Sequence, residues 1–266
     1  MPAAEIIGYA TAVLVGLIMG LVGGGGSIIT LPVFVYLFGI NPILATSYSL
    51  FVIGSTSLVG TVGYLARGQI DFKVTGAFAL PSLVSVFITR RVLVPAIPDP
   101  LIRIGAFVLP KADAILLFFA FVMILAARAM IRHRGIENEA KALPINYVSL
   151  GLDGLAVGLL TGTVGAGGGF LIVPMLVVMA RLPMQLAVGT SILIIAVNSF
   201  VGVLGDVHWD TFDWRFLVIF TSLSITGILI GQSLSKFIAV QHLKKSFGWF
   251  VLTVAIGMIA KEIFGK

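Results

Sequence analysis

Two glycine-rich stretches are the part of this sequence whose residue types and spacing most clearly suggest chemistry. The first runs from Gly23 to Ser27 and the second from Gly165 to Gly169, and each stands between two apolar segments. Glycine in this setting either lets helices pack closely or unwinds one helix. An unwound helix leaves backbone N–H groups at the start of the next half-helix without partners, and these groups attract anions. The pattern favours a pair of anion-binding half-helix ends, with close packing as the alternative.

Small polar side chains follow both glycine stretches, inside long apolar segments. A polar group in such a segment is costly unless it is satisfied, so a concentration of them predicts a lined cavity. Their hydroxyls can alternatively bond to carbonyls of their own helix. We predict that the substrate contacts Gly24, Gly25, Gly26, Ser27, Ser47, Ser49, Thr56, Ser57, Gly167, Gly168, Gly169, Thr190, Ser191, Asn198 and Ser199.

Other kinds of chemistry find little support in the sequence. There is no cysteine, which excludes disulfides and thiolate metal sites. His133, His208 and His242 are too scattered to form a metal-binding motif. No nucleophile or acid–base pair has a recognisable spacing, so we predict a protein that is not an enzyme. We expect no cofactor and no bound metal.

The amino-acid composition indicates which kind of secondary structure holds these residues. Residues of the AVILMFWYC set make up 59% of the 266 positions, charged residues make up 11%, and the mean hydropathy is +1.13. The apolar runs are continuous and long enough to cross a bilayer as helices. The strands of a membrane β-barrel would instead alternate apolar and polar residues. The net charge of +6 fits basic residues in cytoplasmic loops. We predict an all-α integral membrane protein, multi-pass, in a prokaryotic inner membrane.

The chain contains two copies of one unit, related by an offset of 142 residues without a gap. The matched positions are mainly glycine, proline, serine and aspartate, which have backbone or hydrogen-bonding roles. Chance matches between two apolar sequences would instead fall mainly on Leu, Val and Ile. Among them, Gly16, Gly20, Gly23 and Pro32 meet Gly158, Gly162, Gly165 and Pro174. We place the first membrane repeat at 1–135, a cytoplasmic linker at 136–146 and the second repeat at 147–266.

Each copy contains about five apolar segments. We place them at about 5–23, 27–39, 42–66, 73–91 and 112–131, and at about 147–165, 169–181, 184–205, 214–236 and 246–263. The second segment of each copy, at about 13 residues, would be about 20 Å long as a helix, too short for a hydrocarbon core of about 30 Å. It is therefore predicted to be a half-helix or a re-entrant limb.

Charged residues bear on orientation and on helix ends. The loop from Arg67 to Lys73 is basic and its counterpart in the second copy is acidic, which predicts that the two repeats have inverted topology. Asp71 and Asp213 each start a fourth segment and are predicted N-caps. Arg90 and Arg91 are placed at a membrane rim, in contact with solvent or headgroups, or at an entrance where they would steer anions.

Three sets of motifs carry a family resemblance: GLVGGGGSIITLP with GTVGAGGGFLIVP, ATSYS with AVGTS, and GYLARGQIDF. Together, over nearly the whole chain, they resemble the sulfite exporter TauE/SafE family within the toluene-sulfonate uptake permease group. The resemblance implies a two-repeat membrane carrier for small sulfur-containing anions such as sulfite, sulfonates or sulfoacetate.

The function expected from both lines of reasoning is secondary transport by alternating access, in which one repeat rocks against the other. An anion channel, and a carrier for another small anion such as a carboxylate, remain open alternatives. The expected partners are a small anionic substrate and membrane lipid. Nucleic acid is not expected, and a homodimer is left open.

Overall fold

The computed structural model describes residues 3–104, 107–132, 146–165, 167–206, 212–235 and 240–264. The predicted linker lies outside the described residues except for Asn146. The described residues form these principal helices: α1 (Ala3–Val22), α2 (Ser27–Tyr36), α3 (Pro42–Ala66), α4 (Phe72–Ile88), α5 (Lys111–Arg132), α6 (Tyr147–Val164), α7 (Gly169–Val178), α8 (Met184–Gly205), α9 (Trp214–Leu234) and α10 (Val240–Phe264). The predicted all-α membrane fold is confirmed, with helix bounds close to those of the predicted segments.

Two smaller features interrupt the helices of the first copy. Helix α4 continues through a π-helical turn, Thr89–Leu93, into the short helix Val94–Ala96. Strands β1 (Ile102–Ile104) and β2 (Phe107–Leu109) then pair as a small antiparallel hairpin before α5. The π-helical turn holds a buried arginine, Arg90.

Five helices in the described part of the chain are long and apolar enough to cross a membrane: α3, α4 with its continuation to Ala96, α6, α8 and α9. The outward side of α6 shows why water is not their solvent. Val148, Leu152, Leu155 and Leu159 are 41–75% exposed and recur at helical spacing on its surface. A continuous apolar stripe of this kind is suited to contact with lipid.

Helix ends are fixed by side chains that accept backbone N–H bonds. Asp71 Oδ1 accepts from the N–H groups of Lys73 and Val74 at 2.9 and 3.0 Å, and Asp213 Oδ1 accepts from Phe216 at 3.0 Å. Both aspartates are therefore N-caps, as predicted. These bonds satisfy first-turn donors that have no partner within the helix.

Helices of one copy pack on helices of the other, and the contacts repeat with the 142-residue offset. Helix α1 packs along α9, and correspondingly α6 packs along α4. Gly16 lies against the backbone of Ser224, while Gly158 lies against the backbone of Ser82. A Cβ at either glycine would collide with a carbonyl oxygen, so each crossing depends on close approach of two backbones.

Helices α3 and α8 lie at the centre, in contact with each other. In the most apolar 18-residue stretch of each helix, 72% of α8 and 56% of α3 are buried, against 39–44% in the other three candidate spans. They cross where Gly54 of α3 meets the Cβ of Ser199. The two helices that carry most of the predicted polar site are therefore the innermost of the five.

Candidate functional site

The glycine stretches break the helix in both copies. In the first copy, α1 ends at Val22 and a 3-10 turn, Gly24–Gly26, precedes α2. In the second, α6 ends at Val164 and α7 begins at Gly169. Gly23 and Gly165 occupy corresponding positions and have φ values of +75° and +70°, a conformation that side-chain-bearing residues rarely adopt. Both breaks therefore depend on glycine at the same place.

The two breaks meet each other in the interior. A Cβ on Gly24 would overlap the backbone of Gly169, and a Cβ on Gly169 would overlap the backbone of Gly24. Ile195 of α8 closes over both glycines. Two main chains, one from each copy, thus lie in direct contact at the point where both helices are interrupted.

Both half-helices begin at this contact. Helices α2 and α7 have ten residues each, or about 15 Å, roughly half of a hydrocarbon core. Their N-terminal N–H groups and the positive ends of their dipoles meet near Gly24 and Gly169, which is the arrangement that stabilises anions. Ser27 Oγ donates to the Gly24 carbonyl at 2.6 Å, so this predicted site hydroxyl is occupied by its own turn.

Two predicted serines face this region. A Cβ on Gly167 would lie 3.2 Å from Ser199 Oγ, which places that hydroxyl beside the second break. Ser57 corresponds to Ser199 in the first copy and lies one turn after Gly54 on the same side of α3. Both serines are completely buried, and neither hydroxyl has a hydrogen-bond partner in the described structure. They are free to donate to a ligand.

The other predicted polar residues divide into two groups. Ser49, Thr56 and the Asn198 carbonyl oxygen are buried without partners in the described structure. Thr190 Oγ1 instead accepts from the N–H of Asp71 at 3.0 Å, the Asn198 amide donates to Ser82 Oγ at 2.7 Å, and Ser191 donates to the carbonyl of Val188 at 2.7 Å. These contacts link α8 to α4 or stay within α8.

A charged cluster adjoins the second break, and the sequence reasoning missed it. It consists of Thr46, Ser47, Arg90 and Asp206, and we call it the charged junction. Arg90 was placed either at a rim in contact with solvent or headgroups or at an entrance. It is only 3% exposed, so the rim placement is wrong, whereas its neighbour Arg91 is exposed. Asp206, 6% exposed, was considered only as part of the acidic loop of the second copy. The sequence did contain a signal for this cluster, because Arg90 and Asp206 are charged residues at the edges of apolar segments.

The space beside the second break is narrow. A cleft beside Gly168 is too narrow to hold a water molecule. The Thr161 hydroxyl, buried and without a partner in the described structure, lines it. At the contact between Gly24 and Gly169 the two main chains likewise leave no room for a ligand in the described structure.

Apolar surface stripes, broken helices that meet in the interior and unpartnered buried hydroxyls define a multi-pass membrane protein of the transporter class. The comparison with known proteins agrees and is more specific. The family model for the sulfite exporter TauE/SafE matches residues 8–258, and the chain belongs to this family. It is accordingly a membrane transporter of the cell membrane and not an enzyme.

Similar proteins are known in several organisms. A probable membrane transporter protein of Xylella fastidiosa is 29% identical over 261 residues, covering 96% of this chain and 94% of the relative. The probable membrane transporter protein YunE of Bacillus subtilis is 24% identical over 287 residues, covering 96% and 99%. A probable membrane transporter protein of Haemophilus influenzae is 23% identical over 263 residues, covering 93% and 95%. No solved structure matches the chain significantly.

Proposed function

We propose that the protein is a secondary carrier for small sulfur-containing oxyanions, such as sulfite or organosulfonates, in a prokaryotic inner membrane. The observation that carries the proposal is the contact of the two glycine breaks at Gly24 and Gly169, between the N-termini of α2 and α7. Two converging N-termini supply backbone donors and positive dipole ends, which favour an anion over a cation. The family description agrees with an oxyanion containing sulfur.

Binding in this proposal combines the backbone donors with the hydroxyls of Ser57 and Ser199. A neutral donor set suits a small anion that must be released again, because hydrogen bonds to charged groups contribute only about 1.5–3 kcal/mol each. Transport then requires the contact between the breaks to open toward one side at a time. The two repeats, at 1–135 and 147–266 and with inverted topology, would provide the two opposite openings by rocking against each other.

The test is uptake of sulfite, sulfoacetate, acetate and chloride into proteoliposomes containing the purified protein. The Ser57→Ala/Ser199→Ala double variant removes both hydroxyls while hardly changing side-chain volume. We expect the KM for sulfite to rise at least about tenfold, which corresponds to about 1.4 kcal/mol. Ser233→Ala is the matched control, because the Ser233 hydroxyl is exposed and donates to the Leu229 carbonyl of its own helix at 3.0 Å.

The outcomes separate the alternatives. Saturable sulfite uptake that shows counterflow supports a carrier, whereas flux without counterflow indicates a channel. Acetate uptake with a lower KM than sulfite or sulfoacetate would replace the proposed substrate class by carboxylates. A double variant with the KM of the Ser233→Ala control would contradict the proposed binding site.

A further inference from the structure

The charged junction places a guanidinium in the protein interior. Arg90 Nη1 donates to Thr46 Oγ1 at 2.9 Å and lies 3.5 Å from Asp206 Oδ2, and Ser47 Oγ donates to the same carboxylate oxygen. The side chains of Arg90 and Asp206 are 2% and 5% exposed. The ion pair is made through one nitrogen and at a long distance, although the guanidinium of arginine can pair with an oxyanion through two parallel bonds.

Two donors of this arginine are not used. Nε and Nη2 of Arg90 are buried and have no hydrogen-bond partner in the described structure. An unpartnered buried donor on a charged group is expensive, and such groups in native proteins call for an explanation. A bound oxyanion would satisfy them, because arginine presents its donors in a rigid fork that matches two oxygens.

One of the unused donors, Nη2, lies against the glycine break of the second copy. A Cβ on Gly165 would lie 2.5 Å from Arg90 Nη2, so the guanidinium rests directly on the first glycine of that break. Gly165 immediately follows α6 and precedes α7, whose N-terminus belongs to the proposed site. An anion leaving or entering that site beside Gly165 would therefore meet Arg90.

The corresponding place in the first copy is filled by uncharged side chains. The 142-residue offset carries Thr46, Arg90 and Asp206 onto Val188, Gln232 and Tyr64, which we call the neutral junction. There, Gln232 Nε2 donates to the Gly60 carbonyl at 2.6 Å and the Tyr64 hydroxyl donates to the Gly20 carbonyl at 3.0 Å. A buried ion pair is weak evidence for stability, because its desolvation offsets its attraction. A glutamine and a tyrosine thus fill the corresponding place in the first copy without an ion pair.

We propose that Arg90 is a cationic ligand of the transported anion, and that Asp206 holds Arg90 while no anion is bound. The inference rests on the proposed function and adds to it a specific charged contact beside the second break. An arriving oxyanion bonds to Nε and Nη2 of Arg90 and takes the place of Asp206 as its charge partner. Asp206 then keeps its hydrogen bond from Ser47, so the displaced carboxylate is not left without a donor.

The test compares variants by KM for sulfite in proteoliposomes and by the rise in melting temperature that sulfite produces in detergent. Arg90→Gln should raise the KM at least tenfold and abolish the sulfite-dependent rise, and Arg90→Lys should fall between it and the original protein. Asp206→Asn removes the internal competitor, so its KM should fall about threefold or more. This opposite sign is not expected of a purely structural ion pair. Arg91→Gln, at an exposed neighbouring arginine, is the matched control.

A second variant keeps the test decisive where Arg90→Gln fails to fold. Arg90→Gln/Asp206→Tyr introduces the glutamine and the tyrosine of the neutral junction and removes both charges of the ion pair. It should fold and still lose the sulfite-dependent rise. A KM and a rise equal to those of Arg91→Gln would overturn the inference, and so would an Asp206→Asn variant whose KM increases. If the original protein moves neither sulfite nor sulfoacetate, the proposed function itself fails, independently of Arg90.

Discussion

The charged junction and the neutral junction occupy corresponding places in the two copies, yet one holds a buried ion pair and the other is joined by the neutral hydrogen bonds of Gln232 and Tyr64. In both, the last turns of the fourth helix or its continuation pack against the central helices. Gly205 meets the Cβ of Arg90, and Gly63 meets the amide of Gln232. The two junctions show that a residue of the fourth helix or its continuation can pack on a glycine of the central helix either with a charge or without one. One copy keeps the shape of the contact without the charge of the other.

The half-helices differ as well. A cluster of aromatic rings surrounds the end of α2, with Phe34 and Phe220 centroids 4.8 Å apart and Phe38 and Phe216 also 4.8 Å apart. The residues that correspond to Phe34 and Phe38 in α7 and just after it are Leu176 and Ala180. Aromatic pairs add about 0.5–1.5 kcal/mol beyond their buried area. Helix α7, which begins beside the charged junction, therefore lacks these aromatic pairs at the corresponding positions.

The largest effect should come from removing one member of the ion pair. Arg90→Ala removes the guanidinium that lies 3.5 Å from the buried Asp206 carboxylate, and breaking such a pair costs about 3–5 kcal/mol. Tyr64→Phe, at the neutral junction, removes one hydrogen bond and should cost about 1 kcal/mol. Thermal unfolding of the purified proteins in one detergent measures both. Equal losses would show that the two junctions are energetically alike and would end the distinction between them.

A smaller effect tests whether the helix crossings are equivalent in the two copies. Gly16→Ala and Gly158→Ala each drive a Cβ into a backbone carbonyl of the opposite copy, at Ser224 and Ser82. Overpacking of this kind costs about 1–3 kcal/mol. The melting temperatures should fall by similar amounts. A loss confined to one of the variants would mean that the two crossings are not equivalent.

The control for these substitutions is Gly76→Ala. Gly76 lies within α4, and a Cβ there would have open space around it. Alanine in a helix is favoured over glycine by about 0.5–1 kcal/mol. The control should therefore melt at the same temperature as the original protein or slightly higher. A loss at this position as large as that of Gly16→Ala would show that steric overlap is not the cause.

The membrane class, the helices and their breaks could be predicted because the signals are local. Long apolar runs give the helices, and the breaks coincide with the glycine stretches that end near Ser27 and Gly169. The caps at Asp71 and Asp213 follow from residue type and position. Inverted topology and the domain bounds stay predictions. What local signals cannot give is which helix of one copy packs on which helix of the other.

The charged junction shows why part of the site could not be predicted. Arg90 and Asp206 are 116 residues apart, and the inward direction of Arg90 depends on the π-helical turn at Thr89–Leu93. A π-helical turn contains more residues than an α-helical turn, so it changes which side chains face inward. Likewise, the hydroxyl of Thr190 bonds the N–H of Asp71, 119 residues away. Neither partner is indicated by the residues nearby in sequence.

The smallest effect concerns the caps that start the fourth helix of each copy. Asp71→Ala removes the acceptor for two N–H groups and Asp213→Ala removes the acceptor for one. Each should cost about 1 kcal/mol, with Asp71→Ala the larger, and the asparagine variants should lose less because they retain an acceptor oxygen. Thermal unfolding in detergent measures the four variants together.

Loss of either cap should leave transport unchanged. The N–H of Asp71 donates to Thr190 and that of Asp213 donates to the Tyr48 hydroxyl at 2.6 Å, so both caps connect α3 or α8 to the other copy. Because these bonds use backbone donors, the alanine variants should keep them and keep the KM for sulfite. A tenfold change of KM in Asp213→Ala but not in Asp71→Ala would assign a transport role to the acidic loop of the second copy. It would extend the asymmetry beyond the charged junction.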